Sequence, residues 1–183
     1  MTYYGPKELA AAFRTVRGNT IRIAEDIPEE HYSFRPAPES RSVAETLAHI
    51  AFTPTVAEQI QFKDRLHSLV GFDFFSAVGK VRAEEAVPRT KSQILELLRS
   101  GGEKMAKLLE NASDDFLGER VQYPEGMVPP EKTRFEMLLA VKEHEMHHRG
   151  QLMVMERILG IKPHLTRQME ERVAAMKAAQ SGS

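Results

Sequence analysis

The sequence predicts an all-α protein, built as an antiparallel four-helix bundle with long inter-helix connections and a short C-terminal helix. Three observations carry this. Four long segments repeat apolar residues at three- and four-residue steps, the period of a helix with one buried stripe. Several of them begin at a Ser or Thr followed three residues later by Glu or Gln, the reciprocal cap of a helix N-terminus. No stretch alternates apolar and polar residues with a period of two over a strand's length.

The first helix follows Pro6, a residue suited to a first helical turn. Leu9, Phe13, Val16, Thr20, Ile23 and Ile27 form its stripe, and Pro28 ends it. Pro36 and Pro38 keep the next residues extended. Ser42-Val43-Ala44-Glu45 then caps a second helix running towards Leu69, with Leu47, Ile50, Val56 and Ile60 inward and a kink near Ala51 forced by Pro54. Residues 71–90 read as a connection with room for a short helix. Thr90 and Gln93 start the third helix, which Gly101-Gly102 weakens by roughly 1 kcal/mol per glycine relative to alanine. The turn signals Tyr123-Pro124-Glu125-Gly126 and Pro129-Pro130 make 118–132 a loop. Thr133 and Glu136 cap the fourth helix, which continues to Leu159 with Gly160 as its C-terminal stop. The domain is expected over 1–165, followed by a short helix from Thr166 to Ala179 and a frayed tail to residue 183.

At 183 residues the chain is long enough for one domain with a sizeable core. Its formal net charge of -1 gives no basic footprint for nucleic acid, and no apolar run has the length of a membrane span. A cytoplasmic location is expected, without nucleic-acid or membrane partners. The absence of cysteine excludes disulfides, thiolate nucleophiles and sulfur-rich metal sites.

Chemistry concentrates in the fourth helix, where His144, His147 and His148 bring three of the chain's seven histidines together. His144 and His148 are one turn apart on one face, in line with Met137, Val141, Met155 and Leu159, so they face the interior. Two imidazoles there can grip a divalent metal but cannot complete its site. His49, inward on the second helix, is the third ligand expected. Against this stand a core histidine bonded to a backbone carbonyl and a chance spacing of the pair. With nitrogen ligands only, zinc or nickel is expected first, with iron or manganese as further options. Around the three histidines, Glu45, His147 and Gln151 are candidates to orient a ligand, and Tyr123 and Glu125 could reach over from the 118–132 loop as a lid. Catalytic residues are not fixed by the sequence. Surface positions are expected for His31, His67 and His164. Met137, Met146, Met153 and Met155 read as core filler. Gly150, mid-helix, implies close approach by a neighbouring helix or a partner subunit.

The run Ser42-Val43-Ala44-Glu45-Thr46-Leu47-Ala48-His49-Ile50, followed downstream by His144-Glu145-Met146-His147-His148-Arg149-Gly150-Gln151-Leu152, resembles the DinB-like family, as does Phe34-Arg35-Pro36-Ala37-Pro38. The likeness covers roughly residues 8–160. It implies an up-down-down-up bundle, often a homodimer, with a divalent metal on three histidines that map to His49, His144 and His148. It also implies thiol-dependent S-transferase chemistry in some members, while others lack an assigned substrate. The expected function is therefore a metal-dependent enzyme with thiol S-transferase-like or hydrolase-like chemistry on a small molecule, a low-molecular-weight thiol among its possible partners. The alternative is a non-catalytic metal-binding or stress-response bundle protein whose metal is structural.

Overall fold

The structure, a computed structural model, describes residues 4–181. Four long helical elements form the bundle. The first, α1 (Pro6–Asp26), starts at Gly5 with Glu8 capping it. The second is interrupted: α2 (Val43–Phe52) passes through Thr53 into α3 (Pro54–Glu58) and a π-helical turn, Gln59–Lys63. After α4 (Phe74–Glu85) comes the third bundle element, α5 (Lys91–Glu110). A short α6 (Asp114–Gly118) and a hairpin precede the fourth, α7 (Arg134–Ile158), and α8 (His164–Ser181) closes the chain. The capping pairs at Ser42, Thr90 and Thr133 all form as the sequence predicts.

Directions follow from contacts between helix ends. Lys91 at the start of α5 bonds the carbonyl of Ile27 at the end of α1, so these two helices run in opposite senses. Gln61, at the end of the second element, bonds Arg134 at the start of α7. The starts of α1 and α7 share one apolar cluster through Leu9, Phe13 and Leu138. Thus α1 and α7 run one way, α2 and α5 the other: up, down, down, up.

A second apolar cluster joins Ile23, Leu47, Ile50, Leu98 and Leu152. Between the two clusters, along both α1 and α7, lies a buried ion pair, Arg17 with Glu145. The Arg17 Nε donates to Glu145 Oε1 at 2.9 Å, and Nη2 donates to Oε2 at 2.9 Å. Its remaining donors reach the other two helices, Nη1 to the Leu98 carbonyl at 2.8 Å and Nη2 to the Ile50 carbonyl at 3.3 Å. Both neighbours are made available by breaker residues. Pro54 has no N–H, so the Ile50 carbonyl four residues back lacks its helical donor. Gly102 leaves room, because a Cβ there would stand 2.7 Å from Arg17 Cγ.

Several expectations are corrected. The local break expected near Ala51 falls at Thr53, where Pro54 is tolerated as the first residue of a new helix. It ends at Lys63 instead of continuing to Leu69, with Arg65 turned into the left-handed region at φ 45. The 118–132 loop holds an antiparallel pair, β1 (Arg120–Gln122) with β2 (Glu131–Thr133), three residues each and too short to show alternation. The C-terminal helix starts earlier and runs longer than Thr166–Ala179, spanning 18 residues. His164 is buried at 3% exposure, not on the surface, because the first turn of α8 packs against α1 and bonds Asn19. His67 is exposed and His31 half-buried. Met155 is core, but Met146 is 41% exposed. Among the described residues no helix is long and apolar enough to cross a membrane.

Beneath the start of α8, Glu156 of α7 is fully buried and neither carboxylate oxygen has a hydrogen-bond partner. Burial, reinforced by Asp26 and opposed by Arg167 and Arg157, pushes its carboxyl up to about 7.

Two predictions follow from these buried charges. Arg17→Ala or Glu145→Ala strands its partner's charge in the interior and should lower unfolding free energy by about 3–5 kcal/mol in urea titrations. For Glu156 the folded carboxyl holds its proton to higher pH than the unfolded one, so its contribution to stability is complete below about pH 4.5 and is lost as pH rises to about 7. Melting curves of Glu156→Gln from pH 4 to 8 should therefore lack a decline present in the wild type.

Candidate metal centre

His49 projects from the last turn of α2, and His144 and His148 project one turn apart from the middle of α7. The three imidazoles meet where these antiparallel helices face each other. Ring centroids stand 4.9 Å apart for His49 and His144, 4.5 Å for His49 and His148, and 4.5 Å for His144 and His148. The Nε2 atoms of His49 and His144 lie 2.8 Å apart, and one nitrogen from each ring falls within 4.8 Å of the other two. Among the described residues this is the one grouping of three or more His, Asp or Glu side chains close enough to share an ion.

The outward nitrogens are held by the protein. His49 Nδ1 lies 2.7 Å from Glu85 Oε1, and Arg41 Nε donates to the second Glu85 oxygen at 2.7 Å. On the other side, His148 Nδ1 lies 2.8 Å from Gln151 Oε1. The Gln151 amide in turn donates to His147 Nε2 at 3.2 Å. Bonding Nδ1 in this way fixes the tautomer and turns Nε2 inward. Three neutral imidazole nitrogens converging on one point, each backed by a hydrogen-bonding partner or the helix wall, form a donor set suited to a divalent metal.

The environment keeps these rings neutral, the form that binds metal. Burial, then the neighbouring His148 and His49, lower the His144 ring to about 4. Burial also lowers His49, against the opposing bond from Glu85, and lowers His148, against that from Gln151. Glu85 shows the complementary balance: burial works against its charge, but Arg41 and His49 outweigh it and hold the carboxyl below its ordinary range. A cleft of about 630 Å³ opens beside the group, its wall including Arg41, Arg82, Glu85 and Gln151, with Thr46 and Met155 on the two helices.

Of the residues singled out in the sequence, His49, His144, His148, Gln151 and His147 are brought together. Glu45 bonds the Ser42 amide and Arg35 and none of the histidines. The amide of Tyr123 donates to the Pro130 carbonyl, and burial, helped by nearby Glu136, raises its phenol. Glu136 is about two helical turns before His144. Glu125 is exposed on the same loop, and no hydrogen bond joins either loop residue to the histidines among the described residues. Glu85 was missed. It lies in the 71–90 connection, on the weakly amphipathic α4, and no local pattern distinguishes it from Glu84.

The model of the DinB superfamily matches residues 12–152 of this chain. A relative, the uncharacterized protein YjoA of Bacillus subtilis (strain 168), is 26% identical over 159 residues, covering 84% of this chain and 90% of its own. Its crystal structure, described as that of a DinB-like protein, superposes with a TM-score of 0.61 at 24% identity, over 84% of this chain and 92% of that one. A second solved structure, YfiT from Bacillus subtilis, gives a TM-score of 0.66 at 14% identity, over 88% and 91%. It is described as "a probable metal-dependent hydrolase with an unusual four-helix bundle topology". An uncharacterized protein from Clostridium difficile 630 gives 0.64 at 13% identity, over 86% and 99%.

The His144 environment sets a further prediction. In chelator-treated protein its ring should stay neutral down to about pH 4, read from the ring nitrogen resonances in an NMR titration. Because the unfolded ring takes its proton near 6.5, the folded protein should lose stability as pH falls from there towards 4.

Proposed function

From the premise that the chain belongs to the DinB superfamily, we propose that it is a divalent-metal-dependent enzyme acting on a small molecule, with His49, His144 and His148 as ligands. The observation that carries this reading is the convergence of three inward ring nitrogens whose outer nitrogens, on His49 and His148, are already held by Glu85 and Gln151. Zinc or nickel suits the all-nitrogen set, with iron or manganese next. An ion held by three neutral ligands keeps its positive charge and an open position, and supplies Lewis-acid activation of a water or a thiol.

The chain's own groups divide the remaining work. Glu85 orients His49 and raises its basicity, and Arg41 keeps that carboxylate charged. Gln151 ties His148 to His147, which is exposed to solvent. The cleft beside Glu85 and Gln151 is the space assigned to substrate; its wall holds no residue of the 118–132 loop, which sits at the start of α7. Hydrolysis is the first chemistry to test, in line with the description of YfiT. S-transfer is the second, and since the chain has no cysteine the thiol would come as a low-molecular-weight co-substrate. The reading places the protein in the cytoplasm.

Elemental analysis of protein purified without chelator tests the site. The expected result is about one equivalent of a divalent transition metal, lost in His49→Ala and His144→Ala with a modest change in melting temperature. Glu85→Ala should retain the fold but weaken metal affinity about 10–100-fold. Absence of metal, together with no uptake when zinc, nickel, iron or manganese is added, would overturn the enzyme reading. A collapse of melting temperature on metal removal would make the metal structural.

A further inference from the structure

Four arginines line the clefts between α4 and the bundle, and three of them are engaged. Arg35 pairs with Glu45, Arg41 with Glu85 and Arg89 with Glu84. Arg82 alone of the four has no carboxylate, carbonyl or ring against its guanidinium among the described residues.

Its place is set by its neighbours on α4. Val81 is the one buried side chain of that helix, and it fixes α4 against the bundle beside Arg82. Glu85 is three residues further on, and residues three apart share a helix face. One Glu85 oxygen meets His49 and the other Arg41, so that carboxylate is already committed and leaves Arg82 unmatched.

A second guanidinium in the same cleft is only partly used. Arg41 gives its Nε to Glu85, while Nη1 and Nη2 have no partner among the described residues. Arg41 stands close enough to the three imidazoles for its charge to help lower each of them. The cleft of about 630 Å³ thus holds unfilled N–H donors on Arg41 and Arg82, with Pro36, Val154 and Met155 as an apolar flank. The remaining acid of its wall, Glu39, is exposed and bonded to neither arginine. Water satisfies an isolated surface arginine. Two forked sets of free donors in one concavity of ligand size instead match the oxygens of a carboxylate or phosphate.

We propose that the small molecule taken by this cleft is an acid, its carboxylate or phosphate seated on Arg82 and the free Nη groups of Arg41, its apolar body along Val154 and Met155. This rests on the assignment of the cleft to substrate and adds the substrate's class. The other end of the molecule then points towards Thr46 and Gln151, on the two helices that carry the histidines. Arg82 is a specificity residue: it selects for charge at the end remote from the reacting group.

Benzoate and phenyl phosphate, with benzamide as a neutral isostere of benzoate, test this in NMR titrations of the chelator-treated full-length chain, where no ion can take the anion instead. At least one of the anions should bind about tenfold or more tightly than benzamide, the worth of a charge-assisted hydrogen bond, and the tighter of the two identifies the end group. Arg82→Gln should weaken the anion about tenfold and leave benzamide binding and the melting temperature unchanged. Glu39→Gln, which removes the opposing charge, should tighten the anion. Lys80→Gln removes the same charge from the same helix, but in a different cleft, and should change nothing. Benzamide binding as tightly as both anions, an Arg82→Gln variant that binds as the wild type does, or a Lys80→Gln variant as impaired as Arg82→Gln would overturn the proposal. Protein that takes up no metal yet selects an anion through Arg82 would keep the anion site and lose the enzyme. Metal-loaded protein indifferent to ligand charge would lose the anion site alone.

Discussion

The bundle depends on one guanidinium. Arg17, 4% exposed, sits where an isolated charge would be prohibitively costly, and its neighbours all compensate for it. Glu145 matches the charge in a paired geometry, while carbonyls of α2 and α5 take the remaining donors. One residue of α1 is thereby bonded to all three other bundle helices at a single level. Apolar packing alone would tolerate other arrangements of four amphipathic helices, since hydrophobic contact has little direction. A topology that moved Glu145 away from Arg17 would bury two unmatched charges. The pair thus selects the up-down-down-up order more than it adds to net stability, as expected of buried ion pairs.

That same level fixes the three-histidine group. Glu145 is the residue after His144 and three before His148, so the rotation of α7 that presents its carboxylate to Arg17 also turns both imidazoles towards α2. On α2, Ile50, whose carbonyl Arg17 holds, is the residue after His49. Each side of the three-histidine group is therefore anchored through an adjacent residue bonded to the same side chain. Sites placed on rigid elements and backed by a supporting shell hold their geometry best. Pro54 and Gly102, which read as defects in the helices, are what admit Arg17 to that position.

How much was legible in the sequence follows from where the signals reside. Helix periodicity and Ser/Thr caps are local, and they gave the four bundle helices with most of their limits. His49, His144 and His148 were legible because their spacing and apolar surroundings imply a shared face. Glu85 was not: its role arises only when α4 folds back over α2, a contact between residues distant in sequence. Arg17 and Glu145 are charged residues in amphipathic helices, where a solvent-facing position is the ordinary expectation. The strands of the hairpin are too short for a period-two pattern, and His164 is buried by the docking of α8, which nothing within α8 announces.

The two buried glutamates of α7 show why residue type alone could not decide such roles. Glu145 and Glu156 are eleven residues apart, about three helical turns, so both point into the bundle. At the level of Glu145, α1 offers Arg17, whose guanidinium meets both carboxylate oxygens. At the level of Glu156, α1 offers Asp26 instead, which repels, while Arg167 is engaged with Asp26. With no donor on either oxygen, the cheaper course is to hold a proton. Identical side chains on one face of one helix thus become a bonded tie and an acid that holds its proton up to about pH 7, according to which residue of α1 stands opposite.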